Sequence, residues 1–196
     1  MKKKTLFLLF MCIFFIPVPL FSQAVKLPFY VYKDFNSPMN HGAPSGWMGD
    51  FRDVVINLNC QENPYSGTSC LEISYTAKGS KYAYWAGMTW QYPANNAGYI
   101  DGGLNFTGAK KVTFWARGSN GNEIVDAFLL GGTLGAYPDT DSMGIYQVRL
   151  KSEWNKYEID LTDADVSYIS ALFCWVANRY SNPQGFTFYL DEIRIE

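Results

Sequence analysis

The stretch Tyr82-Ala-Tyr-Trp-Ala-Gly-Met-Thr-Trp-Gln-Tyr92 decides how the chain is read, because five of its eleven residues are aromatic. In an extended strand, successive side chains point to opposite faces. Tyr84, Ala86, Met88 and Trp90 then share one face, and Trp85, Gly87, Thr89 and Gln91 share the other. The first face is material for a core. The second sets a flat indole beside a small residue, a hydroxyl and an amide. Such a surface suits a sugar ring, whose C–H faces pack on aromatics while its hydroxyls seek hydrogen bonds. Burial of the whole strand between two sheets is the competing reading, since that is where aromatic strands usually lie.

Working outward, residues 29–35, 54–58, 71–75, 110–117, 123–130, 145–150, 154–161, 171–177 and 186–195 also read as strands. Residues 36–50 are dense in Pro, Gly, Ser and Asn and read as a loop, as do 92–98 and the acidic 136–142. Residues 163–168 read as a short turn or helix that Asp163 could cap. About ten short strands separated by turn signals predict an all-β fold, a two-sheet antiparallel sandwich or a barrel. The last strand carries a further signal. Phe186, Phe188 and Leu190 share one parity, whereas Ile193 and Ile195 take the other. A β-bulge at Asp191-Glu192 would make that shift.

The N-terminus reads as a secretory signal: Lys2-Lys-Lys4, an apolar run from Leu6 to Leu20 broken by Pro17 and Pro19, then Ser22-Gln-Ala24. The run is too short and too Pro-broken to span a membrane. Cleavage near Ala24 places residues 25–196 as one domain in the extracellular or periplasmic space. That part carries thirteen basic and eighteen acidic residues, a net charge of −5. No basic run follows the signal, which argues against nucleic acid and anionic membrane surfaces as partners. Cys60 and Cys70 flank a turn-rich loop between two strands, and in an oxidising compartment a disulfide closing that loop is expected. Cys174 lies in an apolar strand and reads as a buried free thiol.

Five segments occur in order: Ser45-Gly-Trp-Met-Gly-Asp50, Tyr84-Trp-Ala-Gly-Met-Thr-Trp-Gln91, Val112-Thr-Phe-Trp-Ala-Arg-Gly118, Glu153-Trp-Asn-Lys-Tyr-Glu-Ile-Asp-Leu161 and Phe186-Thr-Phe-Tyr-Leu-Asp-Glu-Ile193. Together they resemble secreted bacterial galactose-binding-like β-jelly-roll domains of the carbohydrate-binding-module type, those of family 11 nearest. The resemblance implies a jelly-roll sandwich that binds a polysaccharide such as a β-glucan on a concave face or at loop tips, with a structural calcium ion. One departure stands out. Where many relatives read Asn-Trp-Gly after the aromatic strand, this chain reads Asn96-Ala97-Gly98.

Calcium takes six to eight oxygen ligands, and the resemblance puts them where the first and last strands meet. Asp34 and Asp191 are the candidates there, with Asp139 and Asp141 a weaker pair. For glycan the candidates are Trp85, Trp115, Arg117, Trp175, Arg179 and Tyr180. Trp115 and Arg117 share an outward strand face, as a stacking site or as an aromatic covered by the Arg stem. Trp175 shares parity with Phe173 and also fits the core. Arg179 and Tyr180 lie in a loop before Asn182-Pro183, and Trp47 either plugs an end of the sandwich or touches ligand. Catalysis has little support. The only histidine, His41, has no nucleophile elbow near it, and Glu72 and Glu158, which a glycosidase could turn into a cleft, read equally well as ordinary strand-surface carboxylates. The expectation is a non-catalytic polysaccharide-binding module. A structural or adhesive sandwich without sugar binding is the alternative, and a small jelly-roll glycosidase a further one.

Overall fold

In β1 (Phe29–Tyr32) all four side chains are buried, and the strand runs beside the end of the chain's last strand. A computed structural model describes residues 24–196, so the secretory-signal reading of residues 1–24 falls almost wholly outside the described residues. The other strands are β2 (Ala43–Gly49), β3 (Val54–Cys60), β4 (Cys70–Tyr75), β5 (Trp85–Gln91) and β6 (Lys111–Gly118). They continue with β7 (Ile124–Gly131), β8 (Ser142–Arg149), β9 (Asn155–Asp160), β10 (Ala171–Asn178) and β11 (Phe186–Ile195). One sheet has the order β3-β4-β11-β6-β9, with β1 on the second half of β11; the other is β2-β5-β10-β7-β8. Every pairing is antiparallel, as the sandwich prediction requires.

Period-two patterning builds the core. Ala86, Met88 and Trp90 of β5 are buried with Phe173, Trp175 and Ala177 of β10 in one sheet. Val112, Phe114 and Ala116 of β6 and Phe188 and Leu190 of β11 face them from the other. Rings from the two sheets meet edge-on: Phe114 and Phe173 at 5.1 Å, and Trp175 and Phe188 at 5.4 Å between centroids. Aromatic pairs favour such angles because ring edges are positive and faces negative. The parity shift in β11 is a bulge. The register with β6 slips between Asp191 and Arg194, and Glu192 has φ 50°.

Two segments differ from the sequence reading. The loop assigned to 36–50 contains β2, an edge strand bulged between Pro44 and Gly46. Pro and Gly are tolerated at sheet edges and bulges, so the turn-like composition concealed a strand. The aromatic strand starts at Trp85, because Tyr82 and Tyr84 both take left-handed backbone, each with φ 62°. Residues 163–168, read as a short turn or helix, open on a turn at 162–163 and contain no helix.

Candidate functional site

Directly paired residues of antiparallel strands project to the same side, so the outer face of the β2-β5-β10-β7-β8 sheet can be followed row by row. One row runs Gly46, Thr89, Cys174, Leu129, Gly144; the next runs Met48, Gly87, Val176, Ala127, Tyr146. Apart from Met48 and the exposed Tyr146, both on edge strands, the side chains of these rows are small or medium, which leaves a trough. Gly87 keeps its floor low: a Cβ there would stand 2.7 Å from the Trp175 carbonyl oxygen.

The trough is a groove of about 650 Å³ with Trp85 at one end and Ala97, Thr133 and Leu134 at the other. Trp85 is 38% exposed and packs over Gly49, where a Cβ would come within 3.0 Å of the indole. The far wall is made of two loops in contact. Gly98 has φ 80°, and any Cβ on it would overlap the Leu134 carbonyl. Buried Asn96 shapes the first loop by accepting the N–H groups of Gly98 (3.1 Å) and Ile100 (2.9 Å) on Oδ1. Asp139 ties the second to β10, accepting Thr133 N–H at 2.9 Å and the Ser170 hydroxyl at 2.8 Å.

Polar groups in the groove are uncharged. Thr89, Thr133 and Ser142 supply hydroxyls and Gln91 an amide, whose Oε1 accepts a hydrogen bond from Ser45 Oγ at 3.0 Å. No Asp, Glu, His, Lys or Arg lines it. Burial pushes the Cys174 thiol up to about 11, so it stands on the floor as a small neutral group rather than a nucleophile. A ring, hydroxyls, an amide and apolar floor atoms, without an acid or base, make a binding surface.

The end with Trp85 rests on two buried carboxylates that the sequence reading did not single out. Asp50 accepts the N–H groups of Lys81 (2.6 Å), Ala83 (3.1 Å) and Tyr84 (2.6 Å). Asp53 accepts those of Gly79 (2.7 Å) and Ser80 (3.3 Å). Together they fix the 79–84 loop, left-handed tyrosines included, and so the approach to Trp85.

The predicted glycan residues separate into four places. Trp85 is in the groove. Arg179 and Tyr180 lie just beyond its Trp85 end, where Arg179 N–H bonds the Tyr84 carbonyl at 2.9 Å. Trp175 is a correction: it is fully buried in the core and cannot touch ligand. Arg117 is a correction too, while Trp115 is half-buried beside a cavity of about 300 Å³ that Tyr65, Thr113 and Lys156 also line. Trp115 and Arg117 lie on the outer face of the other sheet, as parity predicted, but the 61–69 loop folds across them. Tyr65 stacks on Trp115 at 3.8 Å, and the Glu62 carbonyl accepts Arg117 Nη2–H at 3.0 Å. Arg117 is buried over the Tyr189 ring, 3.6 Å from its centroid. Trp47 sits half-exposed on edge strand β2 at the rim of the groove.

The same loop occupies the residues proposed for calcium. Asp191 is fully buried, accepting Tyr65 N–H (3.0 Å), Ser66 N–H (3.1 Å) and Glu192 N–H (2.8 Å). Asp34 accepts N–H and hydroxyl groups from Phe35, Thr68 and Ser69. Both carboxylates are thus held by the 61–69 loop, Asp191 through backbone N–H groups and Asp34 in part through the hydroxyl oxygens of Thr68 and Ser69. Among the described residues no cluster of three or more His, Cys, Asp or Glu is arranged to hold an ion. Burial pushes the Asp191 carboxyl up to about 7, against the three N–H bonds that favour its charge.

Cys60 and Cys70 also differ from expectation. They face each other across β3 and β4 as buried free thiols, not as a disulfide. Glu158 pairs with Lys111 and Lys156 at 3.1 and 3.2 Å, and Glu72 accepts Asn57 Nδ2–H. Both belong to the sheet that does not form the groove. His41 stacks on Phe29.

The two-sheet sandwich is a fold shared with solved carbohydrate-binding modules. The family 30 carbohydrate-binding module of a cellulosomal cellulase of Clostridium thermocellum superposes with a TM-score of 0.60 at 16% identity, over 87% of this chain and 98% of that one. A second structure of a family 30 module gives 0.58 at 16% identity, over 86% and 87%. The family 11 module of another cellulosomal cellulase of Clostridium thermocellum gives 0.51 at 17% identity, over 89% and 95%. At these identities the likeness is one of fold. By sequence the chain matches no family model and no curated protein.

Proposed function

We propose that the protein is a non-catalytic module that binds a neutral, β-glucan-like polysaccharide in the groove of the β2-β5-β10-β7-β8 sheet. The observation that carries the reading is the groove itself, where a half-exposed indole stands over a floor kept low by Gly87, among hydroxyl and amide groups and no charge. An uncharged lining accepts a polyol and gives nothing to offset the desolvation of a uronate. The N-terminal Lys-rich and apolar run supports an extracellular or periplasmic setting, where such polymers are met. The fold shared with family 30 and family 11 modules supports the same reading.

Affinity electrophoresis tests it. The protein is expected to be retarded in gels containing a soluble β-glucan and to run unhindered through polygalacturonate. Unhindered migration through every neutral glucan gel overturns the reading.

A further inference from the structure

Just past the Trp85 end of the groove, two rigidly held loops present aromatic rings and one cation to solvent. Tyr82 is 83% exposed and Tyr180 86%. Beside them a cavity of about 300 Å³ is lined by Tyr84, Arg179, Tyr180 and Pro183. The Arg179 guanidinium lies 5.4 Å from the Tyr84 ring centroid. Among the described residues its N–H groups have no carboxylate or other side-chain acceptor.

Both loops are fastened from below. Asp50 and Asp53 hold the 79–84 loop through five backbone N–H groups. Asn182 bridges the second loop to β7, accepting Ile124 N–H at 3.1 Å and donating to the Ile124 carbonyl at 2.7 Å. Ser181 donates to Asp126 at 2.9 Å. Left-handed backbone at two tyrosines is an unfavourable conformation for bulky side chains, and it persists only where the surroundings enforce it. Here it turns phenols toward water instead of into the core, which is what a binding platform requires.

From this geometry we infer that the Tyr84–Arg179–Tyr180 cavity is a second saccharide subsite, joined end to end with the groove. The inference rests on the groove being a glycan site. Asn178 pairs with Trp85, so Arg179 lies one strand residue beyond it, about 3.4 Å along the ladder. A chain leaving the groove past Trp85 meets the cavity next. There a phenol ring offers a stacking surface, and the fork of guanidinium N–H groups matches two neighbouring hydroxyls.

The uncharged lining of the adjoining groove sets a neutral chain as the ligand that runs on into the cavity. The subsite therefore reads hydroxyls, and it rewards chains long enough to fill groove and cavity together.

Calorimetric titration with neutral β-linked gluco-oligosaccharides of increasing length, and with oligogalacturonates of matched length, tests this. In the wild type, affinity for the neutral series should rise with length. Arg179→Ala combined with Tyr180→Ala should leave the shortest bound oligomers within twofold of wild type and weaken the longest by about tenfold or more, since one linked contact is lost. Trp85→Ala should weaken every length. If the double variant, confirmed as folded by its melting temperature, matches wild type at all lengths, the subsite is refuted while the groove stands. If oligogalacturonates bind more tightly than the neutral series and lose that advantage in Arg179→Ala, the assignment to a neutral sugar is overturned. If no oligomer binds the wild type, the groove reading fails and takes the subsite with it.

Discussion

Replacing Trp85 by alanine removes the one indole at the end of the groove, and the cost to binding can be worked from its exposure. A Trp side chain offers up to about 250 Å² of surface. With 38% exposed, about 95 Å² is open to a ligand. At about 25 cal/mol per Å², complete covering contributes about 2 kcal/mol, and stacking on one face about half of that. Trp85→Ala should therefore weaken polysaccharide binding by about five- to thirtyfold. The buried part of the ring rests on Gly49 at the sheet surface rather than in the core, so the melting temperature should fall by only a few degrees. Calorimetry on a soluble β-glucan, with thermal unfolding of both proteins, reads the two effects separately. A folded Trp85→Ala protein whose affinity stays within twofold of wild type would refute the assignment of this ring to the ligand.

Asp50→Ala strips three N–H groups of a charged acceptor at once. Such bonds are worth about 1.5–3 kcal/mol each, partly recovered by water, so a net loss of about 3 kcal/mol is expected. It should come with faster amide exchange at Lys81, Ala83 and Tyr84, and unchanged protection there would count against the anchoring role. Oxidised glutathione should convert the facing Cys60 and Cys70 thiols to a disulfide, visible as the loss of two hydrogens in the intact mass. Closing so short a loop should stabilise the fold by about 2–3 kcal/mol, and failure to cross-link would show that the thiols cannot reach each other. Asp191 makes stability fall as pH rises. Its folded carboxyl titrates near 7 and the unfolded one near 4. The folded state thus holds the extra proton between those values, and its contribution is full below about 4 and lost by about 7. Denaturant unfolding across that window should show the slope, and a flat profile, or the same slope in Asp191→Asn, would contradict it.

The fold was largely legible because period-two patterning survives in β5, β6 and β11. Even the bulge at Asp191-Glu192 was visible, since a bulge must reverse the parity of the apolar residues after it. β2 was not visible, because an edge strand can be written in Pro, Ser and Gly. The outward direction of Trp115 and Arg117 was read correctly, but local sequence carries no sign of a loop from residues 61–69 folding over them. The groove was only half legible. Trp85, Thr89 and Gln91 announced themselves on one strand, whereas Gly131, Gly132 and Ala171 matter by being small, and small residues give no signal. Asp50 and Asp53 escaped notice for another reason: a carboxylate that organises a distant loop looks, in sequence, like any surface acid.

The segment that stacks Tyr65 on Trp115 gives the two faces of the sandwich different characters. One face carries an open groove, and the other keeps a smaller cavity of about 300 Å³ beside a partly covered indole, so a ligand meets two unlike surfaces on one molecule.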